Sequence, residues 1–101
     1  MLKNYSATLA AETSTTLFTV PSLNEAAVLS IEVYGGNDGG ILTFTRNNGT
    51  NDVFTWKASI EAGNLIIFDH RQFFEAGSLL KVTSDTAGVM VSVNADVSEV
   101  E

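Results

Sequence analysis

The sequence predicts an all-β protein, an antiparallel β-sandwich of jelly-roll or immunoglobulin-like type with about eight short strands. Three observations predict it. The stiff β-branched residues Val, Ile and Thr make up 26 of the 101 residues, and such side chains fit the pleated strand. Apolar and polar residues alternate with a period of two in segment after segment, the mark of half-buried antiparallel strands. Clusters of Gly, Asn and Asp, which tolerate positive φ, separate these segments at short intervals. At this length a single domain with one core, residues 1–101, is the expected organisation.

Taken in order, residues 4–10 put Tyr5, Ala7 and Leu9 on one face, and residues 15–20 align Thr16, Phe18 and Val20. Pro21 to Glu25 is too short for more than a turn. Residues 26–34 align Ala27, Leu29, Ile31 and Val33, with Ser30, Glu32 and Tyr34 on the polar side. Gly35 to Gly40 is a glycine-rich connection. Residues 41–46 present Leu42 and Phe44, and residues 52–57 present Phe54 and Trp56. The Asn47–Asp52 stretch between these two runs carries the clearest hairpin signal. Near the end Val89, Val91, Val93, Ala95 and Val97 face one way, while Ser92, Asn94 and Asp96 face the other.

One region breaks the alternation. Leu65-Ile66-Ile67-Phe68 is apolar on both faces, with Phe73, Phe74, Leu79 and Leu80 close behind. A two-layer sandwich of this size covers one side of such a strand, so a second cover is required. Burial by another subunit is favoured over burial under a loop of the same chain or a patch for a different partner. Leu65, Ile66, Ile67, Phe68, Phe73 and Phe74 are therefore the expected interface residues. In the same region Glu61-Ala62-Gly63-Asn64-Leu65 repeats as Glu75-Ala76-Gly77-Ser78-Leu79. Two copies fall short of a repeat architecture, and the expected meaning is two equivalent corners of one sandwich.

Charge and composition exclude several functions. Twelve acidic residues against five basic ones give a net charge of −7, and Lys3, Arg46, Lys57, Arg71 and Lys81 are scattered singly. Nucleic acid and anionic membrane surfaces are disfavoured as partners, since both recruit clustered cations. The chain has no Cys, which excludes disulfide frameworks and thiolate metal sites. Residues 1–6 turn polar at once, so synthesis without a cleaved signal is expected, and apolar runs of four residues fall far short of the ~20 a membrane helix needs. The chain reads as a soluble protein.

Chemistry is sparse. Asp38 and Asp52 are possible calcium ligands, but the spacing fits no EF-hand, and turns alone account for Asp, Asn and Gly there. His70, between Asp69 and Arg71, has neither a second His nor a Cys for company and reads as a surface residue. No serine lies in a nucleophile elbow and no phosphate-binding glycine motif occurs. No enzyme activity, catalytic residue, metal or cofactor is expected. For carbohydrate binding, Trp56 shares a face with Phe54 and reads as core. Tyr34, on the polar side of its strand, is the exposed aromatic candidate.

The run Tyr5 to Leu9, then Thr15-Thr16-Leu17-Phe18-Thr19-Val20-Pro21, then Ala26-Ala27-Val28-Leu29-Ser30-Ile31-Glu32-Val33 and Leu42-Thr43-Phe44, resembles small virion structural proteins of tailed bacteriophages. The later Ala62-Gly63-Asn64-Leu65 and Ala76-Gly77-Ser78-Leu79-Leu80-Lys81-Val82 continue the likeness, which spans roughly residues 4–95; Ser78 stands where related proteins often carry Asp. The resemblance implies a non-enzymatic capsid decoration or cement protein of the virion, made in the host cytoplasm. It would bind the assembled head as a symmetric homo-oligomer, often a trimer, with itself and the major capsid protein or other virion proteins as partners. The alternative is a receptor- or glycan-binding knob or accessory protein of a head fibre or tail.

Overall fold

The computed structural model describes residues 1–69 and 71–99; His70 lies outside them, and with it the expectation made for that residue. The strands are β1 (Leu2–Thr8), β2 (Thr15–Thr19), β3 (Asn24–Tyr34), β4 (Gly40–Asn47), β5 (Asp52–Ile60), β6 (Leu65–Phe68), β7 (Gln72–Phe74), β8 (Leu79–Ser84) and β9 (Met90–Glu99). They form two antiparallel sheets. One runs β1-β9-β3-β6, with β7 also paired to β3; the other runs β2-β8-β4-β5. The chain is thus an antiparallel β-sandwich. Among the described residues no helix is long and apolar enough to cross a membrane.

The nine strands among the described residues agree with the expected count of about eight, one strand position being split in two. β6 pairs with residues 31–34 of β3 and β7 with residues 26–28, so the two are one strand position interrupted near Asp69 and Arg71. The interruption matches a bulge in β3. Against β9, Val28 pairs with Ala95 and Ser30 with Asn94, which leaves Leu29 as the extra residue. A one-residue bulge shifts every following side chain to the other face.

The bulge corrects the expected facing of β3. Uninterrupted alternation puts Ala27 and Leu29 inside with Ile31 and Val33. The buried set is instead Ala26 and Val28 before the bulge and Ile31 and Val33 after it, and Ala27 lies on the outer face. A second bulge at Leu17, between the Thr16–Lys81 and Phe18–Leu80 pairs, acts the same way on β2. Leu17, Phe18 and Val20 are buried while Thr16 is exposed.

The remaining strands face as expected. Leu9, Leu42, Phe44, Val91, Val93, Ala95 and Val97 are buried. Phe18 joins the two sheets: its ring stacks on Tyr5 of β1 at 5.0 Å and meets Phe74 of β7 at 5.1 Å. Phe44 stacks on Trp56 at 5.2 Å, and Trp56 meets Phe54 at 5.4 Å. Offset and tilted rings at these distances add to the area they bury.

The two Glu-Ala-Gly corners are equivalent turns. Asn64 N–H donates to Glu61 O at 3.2 Å and Ser78 N–H to Glu75 O at 3.0 Å, with Gly63 at φ +74° and Gly77 at +81°. Glycine adopts that backbone without the Cβ clash other residues incur. At Gly35 the constraint is contact: a Cβ there would lie 2.1 Å from Glu61 O, and Gly35 N–H donates to Asn64 O across the same approach.

The facing of β7 is testable. Phe74→Ala should lower unfolding free energy by about 3–5 kcal/mol, the usual cost of emptying a buried aromatic site, measured by urea denaturation. Phe73→Ala should change it by no more than about 0.5 kcal/mol, as at an exposed position. Equal effects would contradict the register.

Candidate functional site

Side chains on the outer face of the five-stranded sheet follow from its register. Thr8 pairs with Met90, Met90 with Tyr34, and Tyr34 with Leu65, so these four form one row across β1, β9, β3 and β6. The next row is Ser6, Ser92, Glu32 and Ile67. All of them except Ile67 border a shallow groove of about 430 Å³. Leu65, Ile67 and Tyr34 are 60%, 63% and 41% exposed, and Met90 is exposed as well. Glu32 is half-buried, and its carboxylate makes no hydrogen bond or ion pair among the described residues.

The middle of the face is polar and internally satisfied. Asn4 Nδ2 donates to Ser92 Oγ at 2.7 Å and Asn94 Oδ1 at 2.9 Å, and Asn94 Nδ2 donates to Ser30 Oγ at 3.1 Å. Beyond it lies a third row of Leu2, Asp96, Ala27 and Phe73. Leu65 and Ile67 on β6 and Phe73 on β7 therefore all face outward along this edge, with the exposed Asp69 and Arg71 between Ile67 and Phe73.

Of the six expected interface residues, Leu65, Ile67 and Phe73 are these outward ones. Ile66 and Phe68 point inward, half-buried against the core. Phe74 is fully buried and is corrected from interface to core: its neighbour Ala26 lies before the bulge, so both face inward. Tyr34 is exposed on the polar face. Met90 escaped the sequence reading, although its alternation with Val91 and Ser92 already placed it outside. Trp56, stacked on Phe44, is half-buried.

The two candidate calcium carboxylates lie in different loops. Asp38 is exposed in the β3–β4 connection. Asp52 closes the β4–β5 hairpin, where Asn47 Nδ2 donates to its Oδ1 at 2.8 Å and Lys81 Nζ lies at 3.3 Å. The hydrogen bond from Asn47, then that from Lys81, hold the Asp52 carboxyl below its ordinary range. Asn47 Oδ1 accepts from Gly49 N–H, and Asn48 Oδ1 from Thr50 and Asn51 N–H, the side-chain turn that asparagine supplies. No cluster of three or more metal-ligating side chains forms among the described residues.

Arg46 occupies the open end of the sandwich beside this hairpin. Its guanidinium lies 5.8 Å from the ring centres of both Phe54 and Phe74 and donates to Phe73 O at 3.3 Å.

No protein-family model matches the chain, and no curated protein matches it in sequence. Among solved structures, two crystal structures of a pentameric capsid protein isolated from metagenomic phage sequences, one solved by iodide SAD phasing, match at TM-score 0.48 and 18% identity. Each match covers 93% of this chain but 59% and 60% of the other. The chain spans less than two thirds of the length of these proteins.

Asn47→Ala should raise the Asp52 pKa toward the ordinary carboxylate value, read by NMR titration of the side-chain carboxyl carbon. Because the folded-state value is depressed, this group's contribution is present at neutral pH and lost as pH falls through that value. An unmoved Asp52 titration would contradict the assigned hydrogen bond.

Proposed function

We propose that this chain is a non-enzymatic virion structural protein of a tailed phage, most specifically a decoration or cement protein of the head. The observation that carries the reading is the outward facing of Leu65, Ile67 and Phe73 along one edge, with Tyr34 and Met90 exposed in the row of Leu65. Single exposed apolar residues are ordinary on a surface, but neighbouring exposed apolar side chains such as Leu65, Tyr34 and Met90 support a contact site. The sequence resemblance over residues 4–95 supports the virion setting.

Strand order supports the same class. The pairs β1–β9, β2–β8, β3 with β6 and β7, and β4–β5 nest inside one another, and we read this as a jelly roll, an architecture found in viral capsid domains, lectins and cupins. That breadth leaves function to the site. A decoration protein must stay dispersed before assembly, which a net charge of −7 favours, and then bury a patch on the shell. Assembly as a symmetric homo-oligomer, a trimer at a threefold position being the expected form, would multiply weak contacts.

A second reading, a glycan-binding accessory of a fibre or tail, is favoured by one observation. The Glu32 carboxylate flanks Tyr34 in the groove with no partner among the described residues, and an aromatic ring beside a free carboxylate suits a sugar's apolar face and its hydroxyls. Glycan-array binding lost in Tyr34→Ala with an unchanged melting temperature would select this reading.

Ile67→Asp should leave the melting temperature within a few degrees and abolish attachment to purified heads, scored by co-sedimentation. Mass analysis of the phage's virions should find the chain in many copies per particle. Its absence from virions would remove the proposal.

A further inference from the structure

The corner between β2 and β3 breaks the turn grammar of the rest of the chain. Seven glycines hold positive φ, and among the described residues the non-glycine exceptions are Glu12 and Leu23. Leu23 sits at φ +65° with 78% of its surface exposed. A left-handed backbone disfavours any side chain with a Cβ, and exposing leucine to water is unfavourable as well. Glycine would relieve both. The turn, closed by Asn24 N–H donating to Pro21 O, therefore holds out an apolar knob against two local costs. Glu25 follows in the chain, and Glu99 pairs with Asn24, so carboxylates flank the knob.

At the same end of the sandwich lies a pocket of about 390 Å³, lined by Arg46, Asn48, Val53, Phe73, Glu75 and Ser78. Two of its polar groups lack their usual partners. Arg46 makes no ion pair among the described residues of a strongly acidic chain. Ser78 is only 5% exposed, yet its hydroxyl has no hydrogen-bond partner among the described residues. A buried hydroxyl left unpaired is uncommon and points to a missing partner. Val53 and Phe73 supply exposed apolar wall.

We propose that this pocket receives the Leu23 corner of a second copy of the chain. Leucine meets Val53 and Phe73, and the Glu25 carboxylate meets Arg46. A carbonyl of the corner accepts from Ser78 Oγ. Glu75, of the wrong sign for Glu25, is offered the Ser22 and Leu23 backbone N–H groups, which have no acceptor among the described residues. The knob cannot be filling its own pocket, because it is largely exposed. Phe73 lines this pocket and lies on the same edge strand position as Leu65 and Ile67, so the contact borders the surface already described. It is independent of whether that surface seats on a virion shell.

The test is sedimentation equilibrium of the purified chain. The wild type should self-associate, and Leu23→Gly should weaken association on the order of tenfold or more, as for a central apolar anchor. Its melting temperature should stay equal or rise, since glycine accepts this backbone. Glu25→Arg and Arg46→Glu should each weaken association, and the double variant should restore it. A wild type that stays monomeric at millimolar concentration overturns the proposal, as does a Leu23→Gly variant that associates as tightly as the wild type. If Ile67→Asp alone disperses the oligomer, the β6 edge carries the self-contact and the knob does not.

Discussion

The bulge at Leu29 is the constraint on which the rest of the surface depends. β3 spans eleven residues, and it lies between β9 on one side and β6 and β7 on the other. Inserting one residue at its middle makes Ala26 and Val28 face inward with Ile31 and Val33, and turns Ala27 and Tyr34 outward. The strands beside it inherit that choice. Phe74, opposite Ala26, becomes core against Phe18; Phe73, opposite Ala27, becomes surface. Leu65 joins Tyr34 and Met90 in one outer row. Without the bulge, the two halves of β3 could not both bury their apolar residues and keep these partners.

That constraint explains what the sequence revealed and what it concealed. Strands with unbroken alternation, such as β9 with Val91, Val93, Ala95 and Val97, were legible because a period of two says which side is wet. The Asn47–Asp52 hairpin and the paired Glu-Ala-Gly corners were legible because their backbone demands particular residues. Bulges have no such signature here. Leu17 and Leu29 are ordinary apolar residues in apolar runs, so counting by twos went wrong at Thr16 and Ala27. Residues 65–68 read as apolar on both faces, with Phe73 and Phe74 nearby, but these six residues divide between core and surface only once pairing with β3 is known. Leu23 was passed over because nothing in Pro-Ser-Leu-Asn-Glu announces a positive φ.

The two outer faces of the sandwich differ in kind. The four-stranded sheet presents Thr16, Thr43, Thr45, Thr55 and Thr83 with Lys57 and Lys81, and Thr45 and Thr55 hydroxyls lie 3.4 Å apart. Apart from Ile41, exposed beside Thr43, Lys57 and Thr83, such a face is readily hydrated. The five-stranded sheet instead carries apolar rows at both ends of a hydrogen-bonded Asn–Ser centre, and its apolar edge runs toward the Arg46 pocket. Partners should collect on that side, with the hydroxyl face left to water.

A reconstruction of the virion at side-chain resolution tests this division most directly. The expected map shows the chain on the particle with Tyr34, Leu65, Ile67, Phe73 and Met90 covered by a neighbouring subunit and the threonine face open to solvent. A map in which the threonine face is covered and the Leu65–Phe73 edge stands free would contradict it.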